Sequence, residues 1–191
     1  MENQDIENLR RDLGLVSKEK QLVFALTLCE RLMPSLRRFA TETAFRGTNV
    51  ERCLDLAWGH LRGESGLSDA HELAEECLRV APDTEEFDHP LTSAALNAVL
   101  SVAAVMEFVA DFDVDHVLEV ANLAIDNAAL NAQALDATPP RSLAFAEVIE
   151  HPLVRQERVR QAEDVKFVNS LPSKIPEGLI SQARDRAVRE A

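Results

Sequence analysis

The residues of this chain that could do chemistry fall into a few short constellations. Cys29-Glu30-Arg31 sits inside an apolar run that reaches Met33-Pro34, and Asp55 stands one helical turn before Trp58. A guanidinium among carboxylates can anchor an anion, and an indole can wall a ligand pocket. Glu86-Phe87-Asp88-His89 is the one literal match to the Glu-x-x-His pair of a di-iron bundle. It lies in a Pro-flanked connection, where the two ligands would not share a rigid helix face. His116 and Glu119 have the reverse order. Asp111, Asp113 and Asp115 imitate the start of a calcium loop, but the sixth position is His116 instead of Gly and the twelfth is Asn122 instead of Glu. They read as Asp caps at a helix N-terminus. Cys29 would need a distant His to serve as a nucleophile, and a buried structural thiol is the expectation. The chain has no G-x-S-x-G, no phosphate loop and no GxGxxG. No catalytic residue, metal or cofactor is therefore assigned.

Glu30, Arg31, Asp55 and Trp58 remain as the candidate binding residues. Glu30 and Arg31 interrupt an apolar helical face close to a proline. The first reading is an ion-pair cluster, with Arg31 bonded to Asp55 or Glu30 between packed helices and all three mostly buried. The second is a ligand or partner pocket at a Pro34 kink, with Arg31 as anion anchor and Trp58 as wall.

Elements at a helical period must position these residues. Leu9 and Leu13 mark a short first helix ended by Gly14. Ser17 opens a second, which Pro34 should kink or break by leaving the Glu30 carbonyl without its donor. Thr48-Asn49-Val50-Glu51 reads as a capping box for a helix carrying Leu54 and Trp58, with Gly63 and Gly66 at its end. Asp69 opens a fourth. Residues 91–110 are apolar almost all round, as a helix surrounded by others must be. An Ala-rich amphipathic helix follows over about 115–137 and stops at Pro139-Pro140. Residues 141–150 form a short apolar helix. Residues 153–169 carry a thin stripe of Val159, Ala162, Val165 and Val168, with Arg155, Arg158 and Arg160 on a solvated face. Residues 171–176 are a linker to a last helix with a weak apolar face. The fold class is thus an all-α bundle of about seven or eight helices around a central apolar helix at 91–110. The bundle domain spans 1–170, and 171–191 are a linker and C-terminal helical arm.

Net charge is -13, which disfavours nucleic acid and anionic membrane surfaces as partners. The charge is uneven: residues 51–150 carry 4 basic and 20 acidic side chains, while 151–191 carry 8 and 6. An acidic face could receive a basic protein, another copy in a homodimer, or the chain's own basic tail. Three cysteines without a C-x-x-C pair fit free thiols in a reducing cytoplasm. The polar N-terminus is not a signal peptide, and the apolar stretch 94–110 holds Asn97, Ser101 and Glu107, too polar for a confident membrane span.

The order C-E-R-x-x-P (Cys29 to Pro34), F-x-x-x-T-x-F (Phe39 to Phe45) and L-D-x-x-W (Leu54 to Trp58) resembles the YjaG-like family of bacterial proteins. The resemblance runs from residue 20 to about 165. It implies an all-helical fold and a bacterial cytoplasmic setting, with no assigned reaction. The family's recurrent polar positions fall on Glu30, Arg31, Asp55 and Trp58. The expected function is a non-enzymatic protein-binding module that uses an acidic surface. The alternative is a small-ligand-binding protein or enzyme with a pocket near Pro34.

Overall fold

Every residue from Gln21 to Met33 is buried, polar ones included. A helix meets that condition only when other helices enclose it. It is α2 (Lys18–Glu42) of a series that also comprises α1 (Asn3–Gly14), α3 (Thr48–Arg62), α4 (Ala70–Arg79), α5 (Thr92–Asp111), α6 (Val114–Leu135), α7 (Phe145–Ile149), α8 (Pro152–Ser170) and α9 (Glu177–Glu190). The structure is a computed structural model describing residues 3–64, 66–135 and 145–190, and no strand occurs among them. The protein is an all-α bundle. The expected stop at Pro139-Pro140 and the start of the 141–150 helix lie outside the described residues.

Two helices share the centre. The apolar α5 packs against α2, α3, α4 and α6, as a core helix should. It is long and apolar enough to cross a membrane, yet two thirds of its apolar window is buried inside the bundle. Meanwhile α2 touches α3, α5, α6, α8 and α9, so with α6 and α3 it joins the N-terminal helices to the C-terminal ones. Its polar residues therefore have to find partners in the interior.

The structure bears on two local expectations. Pro34 does not break α2, which runs on to Glu42, and Pro34 itself is exposed. The capping box at Thr48 does not form: Gly47 is the N-cap without any side-chain bond, and Glu51 binds Arg37 Nε at 2.7 Å instead. Gly63 ends α3 at φ 75°, in the left-handed region where a side chain would be strained. At the turn between α5 and α6 the aspartates do cap: Asp111 Oδ1 accepts from Asp113 N and Asp113 Oδ1 from Asp115 N.

The C-terminal helices join the main core. Leu171, Ile180 and Ala183 belong to the same buried cluster as Leu28 and Trp58. On α8 the expected stripe is only half right. Val165 and Val168 are buried, but Val159 and Ala162 face solvent. The inward arc is instead Val154, Glu157, Gln161, Asp164 and Val168, at alternating three- and four-residue steps. A mostly polar arc faces α2, and it defines the site.

Candidate functional site

Arg31 is the hub. Its side chain is 4% exposed, and it donates from Nη1 to Asp164 Oδ2 at 2.8 Å and from Nη2 to Glu157 Oε1 at 2.9 Å. Burial alone would lower the guanidinium's pKa, but the carboxylates of Glu157 and Asp164 outweigh burial and raise it. Gln161 braces the group, donating to Glu157 Oε1 at 3.1 Å and to the Ala121 carbonyl on α6 at 3.0 Å. Arg186 on α9 binds the other oxygen of Asp164 at 3.0 Å and lies over the Phe167 ring.

The neighbouring residue on α2 starts a second cluster. Glu30 Oε1 accepts from Trp58 Nε1 at 3.0 Å and from Arg184 Nε at 2.8 Å. Arg184 sits over the Trp58 ring and also reaches Asp55. Asp55 is 63% exposed, so its bond is a rim contact worth little on its own.

The structure thus separates the four candidate residues. Arg31 is bonded to neither Glu30 nor Asp55, against the expectation. Successive residues on a helix point about 100° apart, so Glu30 faces α3 and α9 while Arg31 faces α8. Glu30, Arg31 and Trp58 are buried as expected, and Asp55 is not. Sequence reading missed Glu157, Gln161, Asp164, Arg184 and Arg186. Their signal was the regular spacing of polar residues between Val154 and Val168, which resembles an apolar seam in step but not in composition.

Arg31 also lines a cavity of about 140 Å³ between α2, α6 and α8, whose walls include Asn127, Asn131, Glu157 and Arg160 but not Trp58. Larger hollows lie between α1 and α8, about 640 Å³, and beside Lys18, His60 and Ile175, about 820 Å³. None of the four candidate residues lines either of them.

The histidines serve local structure. His89 accepts from Leu91 N at 3.3 Å and pairs with Glu42, while Glu86 is not its partner. His116 pairs with Asp111, and His151 caps α8 by accepting from Leu153 N. Among the described residues no group of three or more His, Cys, Asp or Glu is placed to hold a metal. His71 binds Glu107 at 2.8 Å and joins α4 to α5. That bond raises the His71 pKa above 6.5. The contribution is therefore complete below about pH 6.5, the unfolded value, and fades as pH rises through the folded value. His71→Asn is expected to flatten this small decline in urea midpoint between about pH 6 and 8.

The thiols are protected. Burial pushes Cys29 up to about 12, with only partial relief from Ser101. Cys53 and Cys77 are fully buried as well. Thiolate is the reactive form. Native protein at pH 8 is expected to leave all three unmodified by a maleimide over the period in which urea-unfolded protein reacts completely. Rapid native labelling would mean that the α3–α4 layer opens readily.

An all-α bundle with two buried arginine–carboxylate clusters on one central helix is the class that this geometry defines. The chain matches a family of proteins of unknown function, DUF416, over residues 8–190. It belongs to that family, and the match reaches through α9, well past the 20–165 span of the resemblance. A DUF416 family protein from Shewanella baltica OS155 has the same fold, with a TM-score of 0.80 and 16% identity over 94% of this chain and 93% of the other. No curated protein matches the chain.

Proposed function

We propose that this protein is a non-enzymatic protein-binding module of a bacterial cytoplasm that presents an acidic surface to a basic partner, another protein or a second copy of itself. The carrying observation is the outer arc of α4 and the connection after it. Asp69, Glu72, Glu85, Glu86 and Asp88 are all exposed, and among the described residues none forms a salt bridge, although Glu72 lies near His71. On the same arc Leu78 is 48% exposed, two turns after His71 and three residues after Glu75. An exposed apolar side chain beside carboxylates offers contact area and charge steering. The interior clusters favour binding over catalysis, since their carboxylates are already held by arginines or an indole. The narrower likeness to the YjaG-like proteins rests on the C-E-R-x-x-P, F-x-x-x-T-x-F and L-D-x-x-W order.

Crosslinking in native cytoplasm tests this reading with the parent and with the variant Glu72→Gln/Glu75→Gln/Glu85→Gln/Glu86→Gln. Adducts made by the parent at low salt should disappear in the variant and at about 1 M salt, where the Debye length is about 3 Å. Identical adduct patterns in parent and variant would contradict it.

A further inference from the structure

The hollow of about 640 Å³ between α1 and α8 has walls of opposite charge that do not meet. Asp5, Leu9 and Asp12 line it at helical spacing from α1, and Arg158, Val165 and Lys166 line it from α8. Among the described residues Asp5, Arg158 and Lys166 form no hydrogen bond or ion pair, and Asp12 takes only a 3.3 Å bond from its exposed neighbour Arg11. Arg158 acts on Glu150 without pairing with it. All four charged groups keep solvent surface: the Asp12 side chain is 43% exposed, Lys166 is exposed, and Asp5 and Arg158 are half-buried. Of the Arg158 nitrogens only Nε is enclosed, so the two terminal ones can be reached. The C-terminal ends of both helices meet the start of α2, where Gln21 donates to the Leu13 carbonyl and Lys20 to the Asn169 carbonyl. Asp5 and Arg158 therefore lie toward one end of the hollow, and Asp12 and Lys166 toward the other. Opposite charges attract, but α1 is anchored away from α8. Leu13 is fully buried, and Arg10 pairs with Asp115 on α6. The hollow is thus built into the packing, and its volume lies within the ~300–1,000 Å³ of ligand pockets.

Two carboxylates facing two cations balance, so a ligand of one sign would leave the opposite wall unmet. We propose that the hollow binds a small zwitterion with an apolar body, a free amino acid or a short peptide. The terminal nitrogens of Arg158 hold its carboxylate in their planar fork, Asp5 across the hollow accepts from its ammonium, and its apolar body lies over Leu9 and Val165. A dipeptide extends the same contacts toward Asp12 and Lys166. The site is separate from the acidic face of α4, and neither proposal depends on the other.

The full-length protein is titrated calorimetrically with L-leucine and L-leucyl-L-leucine, and with N-acetyl-L-leucine and L-leucinamide, which lack the ammonium and the carboxylate respectively. At least one zwitterion should bind at concentrations below about 10 mM, and each single-charge probe should bind about tenfold more weakly. Tighter binding of the dipeptide assigns the hollow to peptides, and tighter binding of leucine assigns it to free amino acids. Arg158→Gln should erase the advantage of the zwitterion over leucinamide, and Asp5→Asn its advantage over N-acetyl-leucine. A merely structural role for either residue would weaken all four probes alike and would contradict the site. Both variants should fold, since neither side chain holds another. Should one fail to, chemical-shift changes on the parent decide: perturbation centred on Asp5, Leu9 and Arg158 supports the site, and perturbation elsewhere overturns it. Absence of binding by both zwitterions, or equal binding of all four probes, would mean that the two walls face water alone and would end the proposal.

Discussion

Arg31→Ala is expected to lower stability by about 3–5 kcal/mol, because it strands Glu157 and half of Asp164 in the interior. For a chain of this size that corresponds to a fall in Tm of about 6–20 °C. The loss is a large fraction of the ~5–15 kcal/mol that holds most domains together. Arg31→Lys should recover only part of it, since an ammonium cannot donate in a fixed fork to two carboxylates. The control is Arg37→Ala. The Arg37–Glu51 pair has the same chemistry, but both side chains are roughly half exposed, so its loss should cost less than about 1 kcal/mol. Urea midpoints of the three variants decide the matter. Equal midpoints for Arg31→Ala and Arg37→Ala would place Arg31 on the surface in solution.

Removing α9 by truncation after Leu171 should have an effect at least as large. It takes Ile180, Ala183 and Ala187 out of the core. It also removes Arg184 from Glu30, which is 1% exposed and would keep only the Trp58 indole, and Arg186 from Asp164. The expected outcome is a Tm lower by about 10 °C or more, or loss of a cooperative transition. Trp58 is the only tryptophan, so the emission maximum should shift to the red as Arg184 no longer covers its ring. A truncated protein with parental Tm and emission would show that α9 is an ornament on a bundle complete without it.

The charge asymmetry of the chain suggested that a basic tail would be held by the acidic middle and released by salt. The structure assigns the holding differently. Arg184 and Arg186 meet Glu30, Asp55 and Asp164, and of these Asp55 alone belongs to residues 51–150 and is exposed. Glu30 and Asp164 are buried, where salt screens little. Hydrogen exchange in 177–190 should therefore change little between low and high salt.

What the sequence made legible followed from periodicity. The apolar run at 91–110 is α5 to within two residues, and the aspartates before α6 cap the turn between the two helices. Glu30 and Arg31 were visible as the only charges in a buried run. Their partners were not, because Arg31 meets Glu157 and Asp164 at separations of 126 and 133 residues, and Arg184 meets Glu30 at 154. An arc of Glu, Gln and Asp on α8 gives no apolar signal, so Val159 drew attention to the wrong face. Pro34 misled for a related reason. Pro34 itself lies on the exposed side, and the packing of the buried residues before and after it carries the helix on to Glu42.

The polar residues of α2 tie the N-terminal helices to α8 and α9. The most direct test is a double-mutant cycle between Arg31→Met and Asp164→Leu, with stabilities from urea unfolding. Each single change should cost several kcal/mol, because it leaves a buried charge without its partner. The double change should cost much less than their sum, with a coupling energy of about 2 kcal/mol or more. A coupling below about 0.5 kcal/mol, as for residues that do not touch, would contradict the account.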